Sequence, residues 1–594
     1  AARAALMIGN ARASMAAFTG HLATITVNDT SDSTTLNTSD GKITFREAIS
    51  AVNGTASADV GTVAGDGSDI IVFSSSLKNQ SIKLSGNTTS VGLTITKGVT
   101  INGDVDGDSI SDVTLTGDIN SAAASTSNAR GIVFGTAGQT LKLYNMKFQY
   151  FFGGSGVANG VIDADNGTVE IVGSTFSYNS QVVLNGNNTT FTVRNSIVTD
   201  NVGTVSGVSF FPTLRFSGST VVVENTVIAN NSITTGVTNS NNGGVVLFTG
   251  TAAGSGYLRN VTIANNSVVS TGSGAVQTGS VMIGAGVGTG VLSVSVYNSI
   301  LADNKITNNA AGDTPSNNPS GGSATLTASG TNNWIGATNG TTAAFNDVAN
   351  RDYRPAAGAT SFINAGNSSS ASYYASTGYD IRGIDRIRDG ALDLGAYEVQ
   401  WGIGTPDVDL NGAGSGKNES VSTSSPNSGV LIAPSAPLSQ TDTDTRLLGA
   451  TITLSGISDT GNESLTLSAS DVNTAKGYGI AVLNNNSATI TLRGAASVAD
   501  YQSVIRLIQY KNTAGSYTVG TRTATITVND GETTSSAQTS QITVGASVDV
   551  TAPTVSSIAV SGSPAANASS VTYTVTFSEN VSGVDAADFT LATT

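Results

Sequence analysis

The chain has 594 residues and no cysteine, and its 26 Lys and Arg against 41 Asp and Glu give a formal net charge of −15. The missing cysteine excludes disulfides, thiolate metal sites and cysteine nucleophiles. The acidic balance disfavours nucleic acid as a partner, because phosphates need clusters of Lys and Arg. A composition with 69 Gly and 11% charged residues is typical of a β-rich protein. No apolar run reaches the ~20 residues of a bilayer crossing, so no transmembrane segment is predicted.

Residues 1–21 form the first predicted segment. Ala2 to Phe18 is rich in Ala, Leu and Met, with two Arg and no acidic residue, and is the best helix candidate in the chain. Such a helix could cap the open end of a solenoid, which would otherwise expose unpaired strand edges. A processing remnant or a disordered tail is the alternative.

A repeated pattern dominates the next region, and residues 22–401 are predicted to be one solenoid. Between Leu141 and Asn304 an eleven-residue pattern recurs six times as strand, tight turn and strand. Successive copies are 28, 22, 30, 35 and 38 residues apart, as expected for solenoid turns with variable loops. Val, Ile and Thr dominate and apolar positions alternate, which favours a parallel β-helix over a leucine-rich horseshoe. At roughly 28 residues per coil the rod would have about 13 coils and be on the order of 60 Å long.

Asparagine occurs at two fixed positions of this repeat. Asparagine tolerates the left-handed conformation of tight turns, and its amide can hydrogen-bond to the same residue in the coils above and below. The sequence therefore predicts two asparagine ladders. The turn position is occupied by Asn145, Gly173, Asn195, Asn225, Asn260 and Asn298, and the second position by Asn179, Asn201, Asn231, Asn266 and Asn304.

Specific motifs occur at both ends of the solenoid, DGKITFREAI at residues 40–49 and DLGAYE at residues 393–398. The first is similar to the opening segment, and the second to the closing strand, of bacterial cell-surface right-handed parallel β-helix proteins of the choice-of-anchor or polymorphic outer-membrane type. The resemblance implies a right-handed β-helix, a short helix across the first coil, and an extracellular or cell-surface location. In that helix Phe45, Ala48 and Ile49 would face the core.

The most specific chemical motif is the acidic loop that follows the strand around Ile101. Carboxylates at alternate positions of a Gly-containing turn converge on one point, and Ca²⁺ prefers such hard oxygen ligands. The loop is not an EF-hand, because Gly107 falls at loop position 4 rather than 6 and no Glu occupies position 12. A solvated acidic hairpin is the alternative. The predicted Ca²⁺ ligands are Asp104, Asp106, Asp108, the backbone carbonyl of Ile110, and Asp112.

A carbohydrate-active enzyme, either a polysaccharide lyase or a hydrolase, is the alternative function for a β-helix. The lone His21 lies before the repeats, which argues against histidine-dependent triads. Arg194, Glu224 and Arg259 share one repeat position, and we expect a surface row of ion pairs worth about 1 kcal/mol or less each. No catalytic site is therefore predicted. The residues left for an enzyme are Asp163, Asp165, Asp200, Asp303, Arg194, Glu224 and Arg259.

The composition changes after Trp401. Residues 402–427 are rich in Gly, Ser, Pro and Asp, which predicts a linker. Residues 428–546 resemble the cadherin-like repeats of giant bacterial adhesins, and this β-sandwich supplies a weaker Ca²⁺ set of Asp442, Asp444 and Asp530. Residues 547–594 resemble bacterial Ig-like repeats but are too short for a complete sandwich.

These observations predict an all-β protein, in which a right-handed parallel β-helix precedes β-sandwich repeats. The expected function is that of a non-enzymatic, secreted or surface-attached bacterial adhesin, or of a fibre or coat component. Its rigid head would stand on Ca²⁺-stiffened repeats. The expected partners are a cell-surface glycan or protein, or further copies of the chain.

Overall fold

The fold was analysed in a computed structural model. The predicted N-terminal cap or tail and two predicted Ca²⁺ ligands, Asp442 and Asp444, lie outside the described residues. The structure describes residues 23–33, 35–37, 39–55, 58–60, 69–84, 92–117, 131–151, 160–180, 182–205, 213–235, 245–249, 254–270, 283–285, 292–308, 320–321, 326–329, 332–335, 344–369, 378–388, 391–399, 404–440, 446–546 and 551–592.

The first part of the chain is a parallel β-helix, here called the rod, as the repeats predict. Each coil adds one strand to sheet 1, turns into sheet 2 and returns through sheet 3, and all neighbouring strands in these sheets are parallel. Sheet 1 contains Thr24–Val27, Asp69–Phe73, Val99–Asn102, Thr140–Tyr144, Thr168–Val172, Thr190–Arg194, Thr220–Glu224, Gly254–Arg259, Leu292–Tyr297 and Leu326–Ser329. Sheet 2 contains Ser81–Lys83, Val113–Thr116, Met146–Gln149, Thr175–Ser177, Ile197–Thr199, Val227–Ala229, Thr262–Ala264, Ile300–Ala302 and Trp334–Ile335.

Sheet 3 and a short fourth sheet complete the coils. Inward side chains from successive coils stack in the interior, where the rings of Phe148 and Phe176 lie 4.8 Å apart and almost parallel. Sheet 3 contains Leu93–Ile95, Ile132–Phe134, Gly160–Asp165, Val182–Asn187, Leu214–Ser217, Val246–Thr249, Ile283–Ala285 and Ser320–Gly321. The fourth sheet contains Val202–Val205, Ser232–Thr235, Ser267–Ser270 and Lys305–Asn308.

The corner between sheets 1 and 2 has the left-handed backbone that the asparagine pattern predicts. The six aligned turn residues, from Asn145 to Asn298, have φ between 48° and 63°. This region is strained for most side chains and is tolerated by Asn and Gly. The strand, turn and strand of each repeat copy are therefore confirmed. The predicted ladder at the turn position is wrong for the later coils, because Asn260 and Asn298 donate to the backbone carbonyls of Asp393 and Asn367.

The second asparagine row forms a continuous buried ladder. The side-chain amide nitrogen of Asn201 donates to Oδ1 of Asn231 at 2.8 Å, and Asn231 donates in turn to Asn266 at 2.9 Å. Each Oδ1 also accepts the backbone N–H of the preceding rung, as between Asn201 and Asn231 at 3.1 Å. The same contacts extend from Asn179 to Asn304. The ladder satisfies buried polar groups in successive coils.

Helix α1, Phe45–Val52, closes the first coils. Thr44 and Glu47 form a capping box at its N-terminus. Phe45, Ala48 and Ile49 are buried, as the resemblance implies. The neighbouring Arg46 makes two hydrogen bonds to the carboxylate of Asp32, at 2.8 and 2.7 Å.

After the last coil the chain folds back as a segment that we call the strap, residues 344–399. Its short strands are Phe345–Asp347, Asp352–Pro355, Ile387–Arg388 and Ala391–Leu392. The strap covers the outer face of sheet 2, where its Phe362 and Leu394 join a cluster with Ala229, Ala264 and Ala302. The estimate of about 13 coils is therefore wrong, because these residues cover existing coils and add none. Ten strands of sheet 1 are described.

A second domain, the sandwich, follows the strap. Its larger sheet contains Glu419–Thr423, Gln538–Val544, Gly520–Asn529, Arg446–Ser455, Thr489–Ser497 and Ala481–Leu483. The smaller sheets contain Val430–Leu431, Gln509–Asn512 and Glu463–Thr466, and Pro406–Val408 with Leu438–Gln440. Helices α2, Ala469–Gly477, and α3, Val498–Ile505, connect strands of the sandwich.

The predicted linker over residues 402–427 is wrong for most of its length. Its described residues include the strands Pro406–Val408 and Glu419–Thr423, which pair within the sandwich. Val408 and Leu410 are buried in the core of this domain. The Gly and Ser residues between the two strands lie in turns, a role that has the same composition as a flexible linker.

Residues 551–592 contain an antiparallel pair, Val555–Val560 with Tyr573–Phe577. Its side chains are largely exposed, so the described part lacks the second layer of a sandwich. Short 3₁₀ turns occur at Ser75–Leu77, Val348–Asn350, Pro426–Ser428 and Ala586–Asp588. Within the described residues, no helix has the length and apolar character needed to cross a membrane.

Candidate metal centre

The acidic loop, residues 104–112, replaces the asparagine corner in the third coil. It leaves sheet 1 after Val99–Asn102 and enters sheet 2 at Val113–Thr116. The backbone N–H of Asp112 donates to the carbonyl of Gly103 at 3.0 Å, which closes the base of the loop. The rod therefore holds both ends of the loop in fixed register.

The structure brings together the four aspartates that the sequence predicts. One carboxylate oxygen from each of Asp104, Asp106, Asp108 and Asp112 lies within 4.8 Å of the others. Asp108 and Asp112 are only 3% and 1% exposed. In the part of the chain that the structure describes, no other group of three or more acidic or histidine side chains converges in this way.

Six of the eight carboxylate oxygens have a donor. Asp104 accepts the N–H groups of Gly107 and Ser109, Asp108 accepts that of Ile110 at 2.8 Å, and Asp112 accepts that of Val105. Oδ2 of Asp106 faces Lys78, and Oδ2 of Asp108 faces Arg493.

Two carboxylate oxygens have no donor. Oδ1 of Asp106 and Oδ1 of Asp112 are buried and make no hydrogen bond. Leaving a charged oxygen buried and unpaired is costly, and a cation between such oxygens would remove that cost. These two atoms fit a bound cation, and an all-oxygen ligand set fits Ca²⁺.

Burial also affects the protonation of the loop. Desolvation raises the pKa of Asp104 to about 6, and the neighbouring charges of Asp108 and Asp112 act in the same direction. The N–H groups of Gly107 and Ser109 oppose this shift but do not cancel it. A proton and a bound cation would therefore compete for Asp104 just below neutral pH.

Basic side chains surround the same carboxylates. Lys78 pairs with Asp106, and Arg493 of the sandwich places Nε 2.6 Å from Oδ2 of Asp108. Lys476, on helix α2, donates from Nζ to the carbonyl of Val105 at 2.6 Å. The sequence interpretation missed all three, since no pattern near the loop points to them.

Gly107 has two roles at this contact. Its φ is +89°, a conformation that disfavours side chains, and a Cβ added here would lie 2.8 Å from Cγ of Lys476. Glycine therefore permits both the turn and the close approach of helix α2.

The other predicted metal ligands have different positions. Ile110 contributes its N–H to Asp108, and its side chain is exposed. Asp530 accepts the N–H groups of Glu532 and Thr533 and the hydroxyl of Thr533, so its carboxylate shapes a turn of the sandwich. No described acidic group joins it in a cluster.

That turn belongs to a second contact region, between the sandwich and the strap. The carbonyl of Gly531 accepts a hydrogen bond from Arg354 of the strap at 2.6 Å, and Glu532 pairs with Arg382 at 3.2 Å. The strap at Tyr379 bonds to Asn225 in the seventh coil, whereas the acidic loop lies in the third. The sandwich thus contacts both the acidic loop and the strap, and Ala495, two residues after Arg493, lies against Gly383 of the strap.

The predicted row of charges forms along sheet 1, but it is not fully exposed. Glu224 is 0% exposed, and its two oxygens lie 2.8 Å from Arg194 and 2.7 Å from Arg259. Arg194 also approaches Glu170 at 3.7 Å. The pairing is as predicted, whereas the expectation of weak, exposed pairs is wrong for Glu224, because a carboxylate this deeply buried depends on its partners.

The other acids considered for an enzyme lie away from sheet 1, two of them on sheet 3 and two at the corner after sheet 2. Asp163, on sheet 3, accepts a hydrogen bond from Asn185 at 2.8 Å. Asp165 lies at the end of the same strand, and Asp200 pairs with Arg351 at 2.6 Å at the corner after sheet 2. Asp303 occupies the corresponding corner in a later coil.

The fold and the loop define this chain as a parallel β-helix with a candidate cation site and a docked β-sandwich. Comparisons with protein-family models, with curated proteins and with solved structures find no match.

Proposed function

We propose that the protein is a non-enzymatic adhesin, or a component of an extracellular fibre or coat, that is secreted or attached to a bacterial surface. Its proposed partners are a cell-surface glycan or protein, or further copies of the chain. Ca²⁺ is the proposed cation of the acidic loop. The rod would present long faces for binding, with the sandwich held against one side.

The observation that carries this proposal is that charged side chains on sheet 1 bond to one another between neighbouring coils. Both oxygens of Glu224 are bonded to arginines of the neighbouring coils, so this row stabilises stacking. A lyase or hydrolase needs acidic or basic groups that are available to substrate. The buried asparagine ladder adds a second set of bonds between coils, which supports a rigid scaffold.

Binding and turnover assays test this proposal directly. We expect the intact protein to bind components of a glycan array or an intact cell surface, or to assemble into fibres visible by electron microscopy. It should not shorten pectin or alginate chains. Uronate depolymerisation that is abolished by Glu224→Gln, but not by Lys142→Ala on the same sheet, would overturn the proposal in favour of the enzyme.

A further inference from the structure

The charges around the acidic loop are balanced within the protein. Four carboxylates are faced by four basic side chains, two from the rod and two from the sandwich. Lys78 pairs with Asp106, and the charge of Lys147 acts on Asp108 and Asp112. The sandwich contributes Lys476 and Arg493.

A divalent cation would change this balance. Within the cluster it would lie close to the guanidinium of Arg493 and the ammonium of Lys476, and like charges at such distances repel strongly. Asp108 is also the carboxylate that the sandwich binds: its Oδ1 accepts the N–H of Ile110, and its Oδ2 accepts the Nε–H of Arg493. A cation bound by Asp108 would therefore share this carboxylate with the guanidinium of Arg493.

We propose that a Ca²⁺-type cation and the sandwich residues Arg493 and Lys476 are competing ligands of the acidic loop, so that cation binding releases this end of the sandwich from the rod. This inference rests on the proposed function only for the identity of the cation. Arg354 and Arg382 contact a different turn, so the second contact remains when the first opens.

Thermodynamic linkage makes the proposal testable from both sides. If the cation weakens docking, docking weakens cation binding by the same factor. Removing the two basic side chains should therefore tighten cation binding, although neither side chain would coordinate the cation. We expect a change on the order of tenfold, the size of a partly screened charge repulsion.

Calorimetric titration of the full chain with CaCl₂ measures how docking of the sandwich changes the affinity for the cation. The double variant Arg493→Ala with Lys476→Ala should bind Ca²⁺ about tenfold more tightly than the unmodified protein. The matched control, Lys511→Ala, removes a positive charge from a strand of the smaller sheet, Gln509–Asn512, and should leave the affinity unchanged.

Spin labels measure how the cation changes the distance between the rod and the sandwich. The chain has no cysteine, so Ser81→Cys on the rod and Ser470→Cys on helix α2 provide a unique pair of exposed labelling sites. Double electron–electron resonance should show a longer distance with CaCl₂ than with EDTA. In the double variant, the longer distance should be present in both buffers.

Three results would overturn the inference. These are an unchanged label distance under conditions where calorimetry shows binding, equal affinity in the double variant and the Lys511→Ala control, and no Ca²⁺ binding by any of the proteins. The glycan and depolymerisation assays are run in EDTA as well. Failure of the adhesin proposal would therefore be seen separately from failure of the competition.

Discussion

The buried asparagine ladder gives the sharpest prediction about stability, and Asn231→Ala is its clearest perturbation. Removing this side chain leaves the backbone N–H and one amide hydrogen of Asn201 without an acceptor, because both donate to Oδ1 of Asn231. It also removes the bond to Asn266. At about 1 to 3 kcal/mol for each buried orphan donor, the loss should be roughly 2 to 6 kcal/mol.

Native-state hydrogen exchange and calorimetry measure this effect. Exchange should accelerate most in the coils on either side of Asn231, since each repeat contacts only its neighbours. The control is Asn187→Ala, which removes an exposed side-chain bond to Asp165 and should cost no more than about 0.5 kcal/mol. If the two variants lose equal stability, the ladder bonds do not stabilise the stack as argued.

The remaining predictions concern the charged groups. Glu224→Gln should lower the free energy of unfolding by about 3 kcal/mol, because two arginines lose a buried counter-charge. Arg351→Ala breaks an exposed pair and should cost about 1 kcal/mol or less, so equal losses in denaturant titration would refute this ranking. Burial raises the pKa of Asp104 and of Asp393 to about 6. Their ionised forms destabilise the fold, so the melting temperature in EDTA should rise as the pH falls from 7 to 5, and a flat profile would contradict this assignment. At pH 7.5, replacing Ca²⁺ with EDTA should lower the melting temperature of the native protein but not that of Asp106→Ala with Asp112→Ala; equal responses would exclude the acidic loop as the site.

The coils could be predicted because their determinants are local and periodic. A strand needs alternating apolar residues, and a left-handed corner needs Asn or Gly, so Asn145 and Asn195 place their turns without reference to distant residues. The convergence of the four aspartates is equally local, since they lie in one nine-residue loop.

The strap had a sequence signal that the interpretation did not use. The outward position of sheet 2 changes from Gln149 and Thr199 to Ala229, Ala264 and Ala302 in the later coils. Small apolar residues at an outward position indicate that another segment covers them. For residues 402–427, by contrast, composition could not separate turns between short strands from a linker.

The sequence by itself determined the rod, its buried asparagine ladder and the acidic loop, because residues adjacent in the chain or one repeat apart make those contacts. Only the tertiary structure decided what faces the loop and how deeply Glu224 is buried. Arg493 lies 385 residues from Asp108 along the chain, and no periodicity relates them. Their contact forms only because the sandwich folds back against the rod.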